Sequence, residues 1–325
     1  MKRKSCLVQL VLFVLLMIVL AAFIQRCLTR RQGPQLETEA VAPAAAARPN
    51  VWALLSSERA ETTPIPTPTA TPDPARVGIE GLGLPAMRPL LFDIARVRGL
   101  EAVGDSFYVS SYDAEKRIGV LYQVSQESYT IAQVRTYAED GFYRLGGLHW
   151  GEALLWTALS AEEAERGSLI VGIELQQLQI VRRFAVPEAI RAVAQVNDVT
   201  LIGANETGDT LYTWTLDGAL LRQRADSVDV SYKDMDVIHG SVVCAGKGED
   251  DLGVLDVLDP ASLTLLARHP VYARSPAGQV VSGRSMGYDA GRFYFLPDQG
   301  EFPMVIAYPL GDTPLEDYVP STRVR

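Results

Sequence analysis

The chain repeats one short pattern five times. In each copy, a basic residue or a glycine stands two positions ahead of an apolar residue, and a turn and a short strand follow. The apolar residues, called the anchors below, are Leu100, Leu148, Val193, Met235 and Met286. Successive anchors are separated by 48, 45, 42 and 51 residues. A period of this length predicts four-stranded sheets arranged radially around an axis, which is the architecture of a β-propeller.

The first four units each contain enough short strands for one complete blade. Turn signals at Asp217-Gly218 and Asp259-Pro260 lie between the outer strands of units three and four. The fifth unit lacks an outer strand, and Leu91 to Val97 resembles the segments that precede later anchors. We therefore predict an all-β, five-bladed β-propeller that is closed when Leu91 to Val97 pairs with unit five.

An apolar segment near the amino end indicates a membrane helix. Leu7 to Ile24 is apolar except for Gln9, and three basic residues lie on each side of it. Eighteen residues nearly cross the hydrocarbon layer of a bilayer, which favours an uncleaved signal anchor that contacts the lipid. Cleavage after Ala22, or a lipoprotein modified at Cys27, are the alternatives.

The residues after this helix predict a stalk. They are rich in Ala, Pro and Thr, and alternating prolines favour extended chain conformations. The predicted organisation is a transmembrane signal anchor at 1–31, a disordered Ala/Pro/Thr-rich linker at 32–87, the propeller at 88–310 and a tail at 311–325. We expect a single-pass protein of the cell membrane with its propeller outside the cytoplasm.

The charge of the chain argues against nucleic-acid binding. The first 31 residues hold six basic and no acidic side chains, and the remainder holds 24 basic and 39 acidic ones, a formal charge of −15. Phosphate backbones repel such a domain. Only Cys244 lies in the predicted propeller, so an internal disulfide is excluded there.

A ring of cations is predicted at one mouth of the axis. The basic residues two positions ahead of the anchors are Arg98, Arg191, Lys233 and Arg284. These cations predict a ligand site for an anionic or polyhydroxy molecule, with His149, Tyr232 and Asp234 as polar neighbours. Acidic residues in the loops between second and third strands offer the alternative that the cations only form ion pairs.

Catalytic and metal signals are weak. Gly283-Arg284-Ser285-Met286-Gly287 fits a hydrolase nucleophile motif, but a strand rather than a helix is predicted after it. The three histidines occupy non-equivalent positions of the repeat, so we predict neither a trihistidine metal site nor a cofactor. His149 alone faces the axis, where Asp234, Asp236 or Glu101 would be needed to orient it as a base.

Residues 88 to 310 resemble an uncharacterised family of bacterial exported or lipoprotein-type propeller proteins of unknown function. The resembling phrases are Gly99-Leu100, Tyr143-Arg-Leu-Gly-Gly-Leu148, Tyr232-Lys-Asp234 and Arg292-Phe-Tyr-Phe-Leu-Pro-Asp298. The Gly-Leu phrase and the unit length are also similar to those of five-bladed glutaminyl cyclotransferases. This second resemblance implies an acid/base enzyme whose candidate groups are His149 and nearby carboxylates.

We therefore expect a membrane-tethered binding module without intrinsic catalysis. Its partner is predicted to be a small molecule, a glycan or an envelope protein. The alternative is an enzyme of cyclotransferase or hydrolase/lyase type with acid/base residues at the axial mouth.

Overall fold

A computed structural model describes residues 85–225, 230–248 and 251–309 of the chain. Its strands form five antiparallel sheets, which are the blades of the propeller. The first described strand is β1 (Ala86–Pro89), which belongs to the last blade. The predicted fold class, an all-β five-bladed propeller closed by an amino-terminal strand, is confirmed.

The blades follow one another along the chain. Blade 1 contains β2 (Gly99–Val103), β3 (Ser106–Asp113), β4 (Ile118–Ser125) and β5 (Ile131–Tyr137). Blade 2 contains β6 (Arg144–Leu145), β7 (His149–Gly151), β8 (Leu154–Ser160), β9 (Ser168–Glu174) and β10 (Gln179–Val186). Blade 3 contains β11 (Ile190–Asn197), β12 (Thr200–Asn205), β13 (Thr210–Thr215) and β14 (Leu220–Ala225). Blade 4 contains β15 (Val230–Ile238), β16 (Ser241–Gly248), β17 (Gly253–Leu258) and β18 (Leu265–Val271). Blade 5 contains β19 (Met286–Asp289), β20 (Arg292–Phe295), β21 (Met304–Pro309) and β1, and short 3₁₀ helices occupy Ala164–Arg166 and Val281–Gly283.

The hydrophobic core lies between the blades. Five apolar clusters each join two neighbouring blades, and together they run around the whole ring. For example, Phe107 of blade 1 packs with Tyr294 of blade 5, with ring centroids 5.0 Å apart. The five anchors are all fully buried in these clusters. The closed ring therefore follows from burial of both faces of every sheet.

The segment that closes the ring differs from the predicted one. Leu91 to Val97 does not form the closing strand; β1 does, because Ala86 pairs with Ala307 and Pro89 with Met304. Proline is tolerated there because β1 is an edge strand. Arg96 adopts a positive φ of 55°, which interrupts the extended path of the predicted segment. Ile94 and Val97 from this segment are instead buried between blades 1 and 5.

Blade 2 has a divided innermost strand, since β6 and β7 both pair with β8. The break falls at Gly146-Gly147, where the chain passes close to neighbouring blades. A Cβ on Gly147 would lie 2.1 Å from Oδ1 of Asp234. Glycine at this position therefore makes room for a carboxylate of blade 4.

The predicted membrane helix, the linker up to residue 84 and the tail lie outside the described residues, whereas Ala86 and Met87 from the end of the predicted linker belong to β1. Within residues 85–225, 230–248 and 251–309, no helix has the length and apolar character needed to cross a membrane. The signal anchor at 1–31 stays a prediction.

Candidate functional site

Equivalent positions of the innermost strands meet around the axis. The positions two before the anchors hold Arg98, Gly146, Arg191, Lys233 and Arg284. The positions directly after the anchors hold Glu101, His149, Ala194, Asp236 and Gly287. The first set contributes to a cationic pocket, and three members of the second set form a buried polar cluster.

The cationic pocket contains the four basic residues that the sequence singled out. Arg98, Arg191, Lys233 and Arg284 line a cavity of about 470 Å³, whose other lining residues are Arg96, Val97, Tyr112, Glu206, Gly283 and Gln299. Five cations therefore face one carboxylate in this lining. The local charge is positive although the chain as a whole is acidic.

Arg191 connects blades through hydrogen bonds to backbone carbonyls around the pocket. Its Nε donates to the carbonyl oxygen of Lys233 at 3.0 Å, and its Nη2 donates to the carbonyls of Arg98 at 2.9 Å and Arg284 at 3.2 Å. It thereby ties the start of blade 3 to blades 1, 4 and 5. Its Nη1 is buried and has no hydrogen-bond partner among the described residues. The guanidinium is neutralised by no carboxylate in the described part of the chain.

Arg98 is the pocket cation that forms a close ion pair. Its two terminal nitrogens donate to Glu206 at 2.7 Å and 2.5 Å, and Arg144 donates to the same carboxylate at 3.3 Å. Burial by itself raises the pKa of Glu206, but the hydrogen bond from Arg98 and the charges of Arg98, Arg144 and Lys233 outweigh it and lower that pKa below 4.5. Glu206 therefore remains ionised and holds Arg98 in place.

Lys233 and Arg284 complete the pocket. Nζ of Lys233 donates to the hydroxyl of Ser231 at 2.5 Å. Burial lowers the pKa of Lys233, Glu206 opposes this shift, and Arg98 and Arg284 add to it because like charges repel. Within the described residues, no hydrogen bond or ion pair engages the side chain of Arg284. The pocket thus holds cations that have not been neutralised.

The aromatic ring of Tyr112 is in cation–π contact with three guanidinium groups. Those of Arg96, Arg98 and Arg144 lie 5.2, 5.7 and 5.3 Å from its ring centroid. Burial alone raises the pKa of Tyr112, but the hydrogen bond from Arg96 and the three positive charges overcome that effect and lower it below 10. The aromatic face stabilises a cluster of like charges that would otherwise repel one another.

Asp234 lies near the axis and accepts hydrogen bonds from backbone N–H groups of four blades. Oδ1 accepts from the backbone N–H groups of Leu148 and Met235 at 3.1 Å, and Oδ2 accepts from those of Leu100 at 3.3 Å and Met286 at 3.0 Å. These donors are four of the five anchors. Burial raises the pKa of the Asp234 carboxyl, and the N–H donors oppose that shift by favouring the ionised form. Asp234 is a structural hub that joins blades 1, 2, 4 and 5.

Glu101, His149 and Asp236 form a second buried group, called the axial cluster below. Nδ1 of His149 lies 2.8 Å from Oδ1 of Asp236 and 4.0 Å from Oε2 of Glu101. Nε2 of His149 lies 3.1 Å from the carbonyl oxygen of Gln195, which can only accept, so Nε2 carries a proton. Burial raises the pKa of Glu101 well above 4.5, and the charge of Asp236 adds to this shift.

The remaining predicted site residues are engaged elsewhere. The hydroxyl of Tyr232 donates to Asp256 at 2.7 Å, and neither Tyr232 nor Asp234 nor His149 lines the cationic pocket. The structure therefore brings four of the seven predicted residues into one pocket and places the other three in separate networks. Their predicted part in ligand binding stays untested.

The nucleophile-like motif holds a structural serine. Ser285 is fully buried, its hydroxyl donates to the carbonyl of Leu296 at 3.0 Å, and it accepts from the N–H of the same residue at 3.2 Å. The strand β19 follows it, in place of the helix that the hydrolase motif requires.

Sequence reasoning missed Arg96 and Tyr112 as parts of the pocket, and it named Glu101 and Asp236 only as alternative partners of His149 rather than as one group with it. The pocket residues lie outside the repeated phrase, so its spacing held no signal for them. The axial cluster did have a signal, because Glu101, His149 and Asp236 all stand one residue after an anchor. Aligning the five units on their anchors predicts that these side chains converge.

No protein-family model matches the sequence, and no curated protein matches it either. Several solved structures are similar in part. A protein of unknown function from Bacteroides caccae is 11% identical, with 62% of this chain and 71% of that chain covered and a TM-score of 0.44. Virginiamycin B lyase from Staphylococcus aureus is 12% identical, with 66% of each chain covered and a TM-score of 0.40. BamB from Moraxella catarrhalis is 13% identical, with 68% of this chain and 61% of that chain covered and a TM-score of 0.36.

Similarity at this level carries no inference about ligand or activity. The sheet topology by itself defines the protein as a five-bladed β-propeller with a cationic pocket at the axis. The resemblances to exported propellers and to glutaminyl cyclotransferases stay predictions.

Proposed function

We propose that this propeller is a binding module for a small anionic ligand, which it holds in the cationic pocket. Recognition is preorganised, because the fold fixes the cations before the ligand arrives. Carboxylate and phosphate groups are the preferred chemistry, since the planar guanidinium group donates two parallel hydrogen bonds to either.

The observation that carries this proposal is that hydrogen-bond donors of the pocket residues lack acceptors. Nη1 of Arg191 is buried without a partner, and no described acceptor engages Arg284. A buried polar group without a hydrogen bond costs about 1–3 kcal/mol, and more if it is charged. A ligand oxygen that accepts from Arg191 and Arg284 would remove that cost.

The ion-pair alternative accounts for only part of the ring. Glu206 pairs with Arg98, but two other acidic loop residues accept from uncharged side chains: Asp209 from Asn205 and Asp298 from Ser275. A volume of about 470 Å³ is within the range of pockets that bind small molecules. A polyhydroxy ligand is the weaker candidate, because neutral hydroxyl groups do not compensate five cations.

The enzyme alternative rests on the contact between His149 and Asp236. Both nitrogens of His149 are engaged and the ring is buried, so a substrate in the cationic pocket does not reach it. The binding proposal is therefore preferred over cyclotransferase or hydrolase/lyase chemistry.

The proposed location is the outer side of the cell membrane. The apolar segment Leu7 to Ile24 and the proline-rich residues after it support a tether and a stalk. Protease digestion of intact cells tests this location: accessibility of the propeller supports it, and full protection contradicts it. A glycan or an envelope protein that presents an anionic group remains a partner compatible with the same pocket.

Calorimetric titration of the full chain in neutral detergent tests the binding proposal. The probes are citrate, inorganic phosphate, glucose 6-phosphate and, as a neutral control, glucose. We expect the anions to bind, with an affinity that falls as salt is added, and glucose not to bind. Failure of all three anions to bind contradicts the proposal.

Matched variants locate the site. Arg284→Ala removes a pocket cation and is expected to weaken anion binding about tenfold or more. Arg182→Ala removes an exposed cation of β10 and is expected to leave affinity unchanged. Glu206→Gln removes the acidic group of the pocket and is expected to strengthen anion binding several-fold. The negative charge of Glu206 repels a bound anion, and one such charge at about 7 Å contributes about 1 kcal/mol in a polar pocket. Equal effects of Arg284→Ala and Arg182→Ala would place any bound anion elsewhere.

A further inference from the structure

The axial cluster is built from equivalent positions of three blades. Glu101 on β2, His149 on β7 and Asp236 on β15 each follow an anchor by one residue. One ligand atom from each of these side chains lies within 4.8 Å of the others. The other two blades place Ala194 and Gly287 at this position, and neither offers a ligand atom.

The cluster concentrates negative charge in the protein interior. Glu101, His149 and Asp236 are only 2%, 4% and 4% exposed. Within the described residues, three backbone N–H groups donate to the two carboxylates, and Nδ1 of His149 is in contact with Oδ1 of Asp236. Oδ2 of Asp236 is buried and has no partner there. Two carboxylates in such surroundings are costly unless a cation lies between them.

The orientation of His149 suits metal ligation through Nδ1. In the neutral ring that carries its hydrogen on Nε2, towards the carbonyl of Gln195, Nδ1 has a lone pair that points at the carboxylates and is available to a metal ion. Metal-ligating histidines commonly show this arrangement, in which the second ring nitrogen donates to a backbone carbonyl. Gln195 is held in turn by Nε1 of Trp156, which donates to its side-chain oxygen at 2.7 Å. Glu101 is held by the N–H of Trp150, which donates to Oε2 at 3.1 Å.

We propose that the axial cluster binds one divalent transition-metal ion, with Nδ1 of His149 and the carboxylates of Glu101 and Asp236 as ligands. One nitrogen and two carboxylates favour Zn²⁺ or Mn²⁺ over Ca²⁺, which prefers an all-oxygen site. The unpartnered Oδ2 of Asp236 offers a further donor to the ion. The ion fastens blades 1, 2 and 4 to one another below the cationic pocket, so its role is structural.

Metal repletion of the full chain tests this site. The protein is purified in neutral detergent, dialysed against a chelator and titrated with Zn²⁺ or Mn²⁺. We expect the wild type to bind about one ion per chain more than Asp236→Asn does. The substitution removes a charged ligand, so it is expected to weaken binding about 100-fold or more. The midpoint of thermal unfolding is expected to rise by about 5 to 10 °C at a free-ion concentration 100 times the Kd.

His239→Gln is the matched control. His239 is an exposed histidine in the turn between β15 and β16, so its loss is expected to leave the stoichiometry and the thermal shift unchanged. Equal binding by the wild type and Asp236→Asn would overturn the proposal, and so would loss of binding in His239→Gln.

A measurement on the wild type keeps the proposal falsifiable if Asp236→Asn does not fold. The chain has three histidines, so ¹⁵N labelling of histidine gives a spectrum of three imidazoles. We expect Zn²⁺ to shift the Nδ1 resonance of one imidazole, with saturation at one equivalent. An unchanged histidine spectrum would overturn the metal site and leave a shared proton as the cation of the cluster. The anion titrations are unaffected by this outcome, since the cationic pocket and the axial cluster share no residue.

Discussion

Replacement of Asp234 by asparagine tests the hub at the axis. The substitution keeps the size of the side chain but exchanges one of its two accepting oxygens for an NH₂ group. Each oxygen of Asp234 accepts two backbone N–H groups, so either orientation of the amide leaves two of the four donors without an acceptor. The amide hydrogens also point at donor hydrogens, which adds repulsion.

The expected loss of stability follows from these contacts. A hydrogen bond to a charged group contributes about 1.5–3 kcal/mol, so the loss of two costs about 3 kcal/mol at the lower bound. Removing the buried charge offsets part of this cost, because burial disfavours the ionised carboxylate. We expect Asp234→Asn to lower the free energy of unfolding by about 2–4 kcal/mol.

Urea unfolding of the full chain measures this effect through the fluorescence of the tryptophans in blades 2 and 3. Asp298→Asn is the control, since Asp298 is also buried but accepts one side-chain hydrogen bond, from Ser275 at 2.5 Å. Its expected cost is about 1 kcal/mol. If Asp234→Asn costs no more than Asp298→Asn, Asp234 does not hold the innermost strands together and the reasoning is refuted.

Two further predictions concern the neighbouring networks. Burial lowers the pKa of Lys233 below 10.5, so Lys233 loses its charge as the pH rises towards that value, and the affinity for citrate is expected to fall. Lys233→Arg should attenuate this fall in calorimetric titrations. An identical pH profile for the variant would exclude Lys233 from binding. Tyr232→Phe removes one hydrogen bond to Asp256 but leaves the bidentate contact of Arg268, so it should cost about 1 kcal/mol in urea unfolding and leave citrate affinity unchanged. A loss of citrate affinity greater than about threefold would support the sequence-based prediction that Tyr232 contributes to ligand binding.

The cationic pocket and the axial cluster are built from two different positions of the same repeated strand. Residues two positions before an anchor and one position after it lie at different heights along the same strand. The first position carries arginine and lysine, which line the cationic pocket, whereas the second carries Glu101, His149 and Asp236, which are buried. One repeat therefore builds a cationic mouth and an acidic interior on a single axis, with Asp234 between them.

The sequence by itself determined the number of blades and the convergence of the repeated cations. Five anchors at a near-constant spacing permit one arrangement that buries every sheet on both faces, and repetition fixes which residues stand at equivalent positions around the axis. The tertiary structure decided what each charge contacts. It placed the closing strand at β1 rather than at Leu91 to Val97, paired Arg98 with Glu206 across 108 residues and turned Tyr232 towards Asp256. Such pairings depend on distances between side chains of different blades, and the period of the chain constrains backbone positions without fixing which partner each side chain reaches.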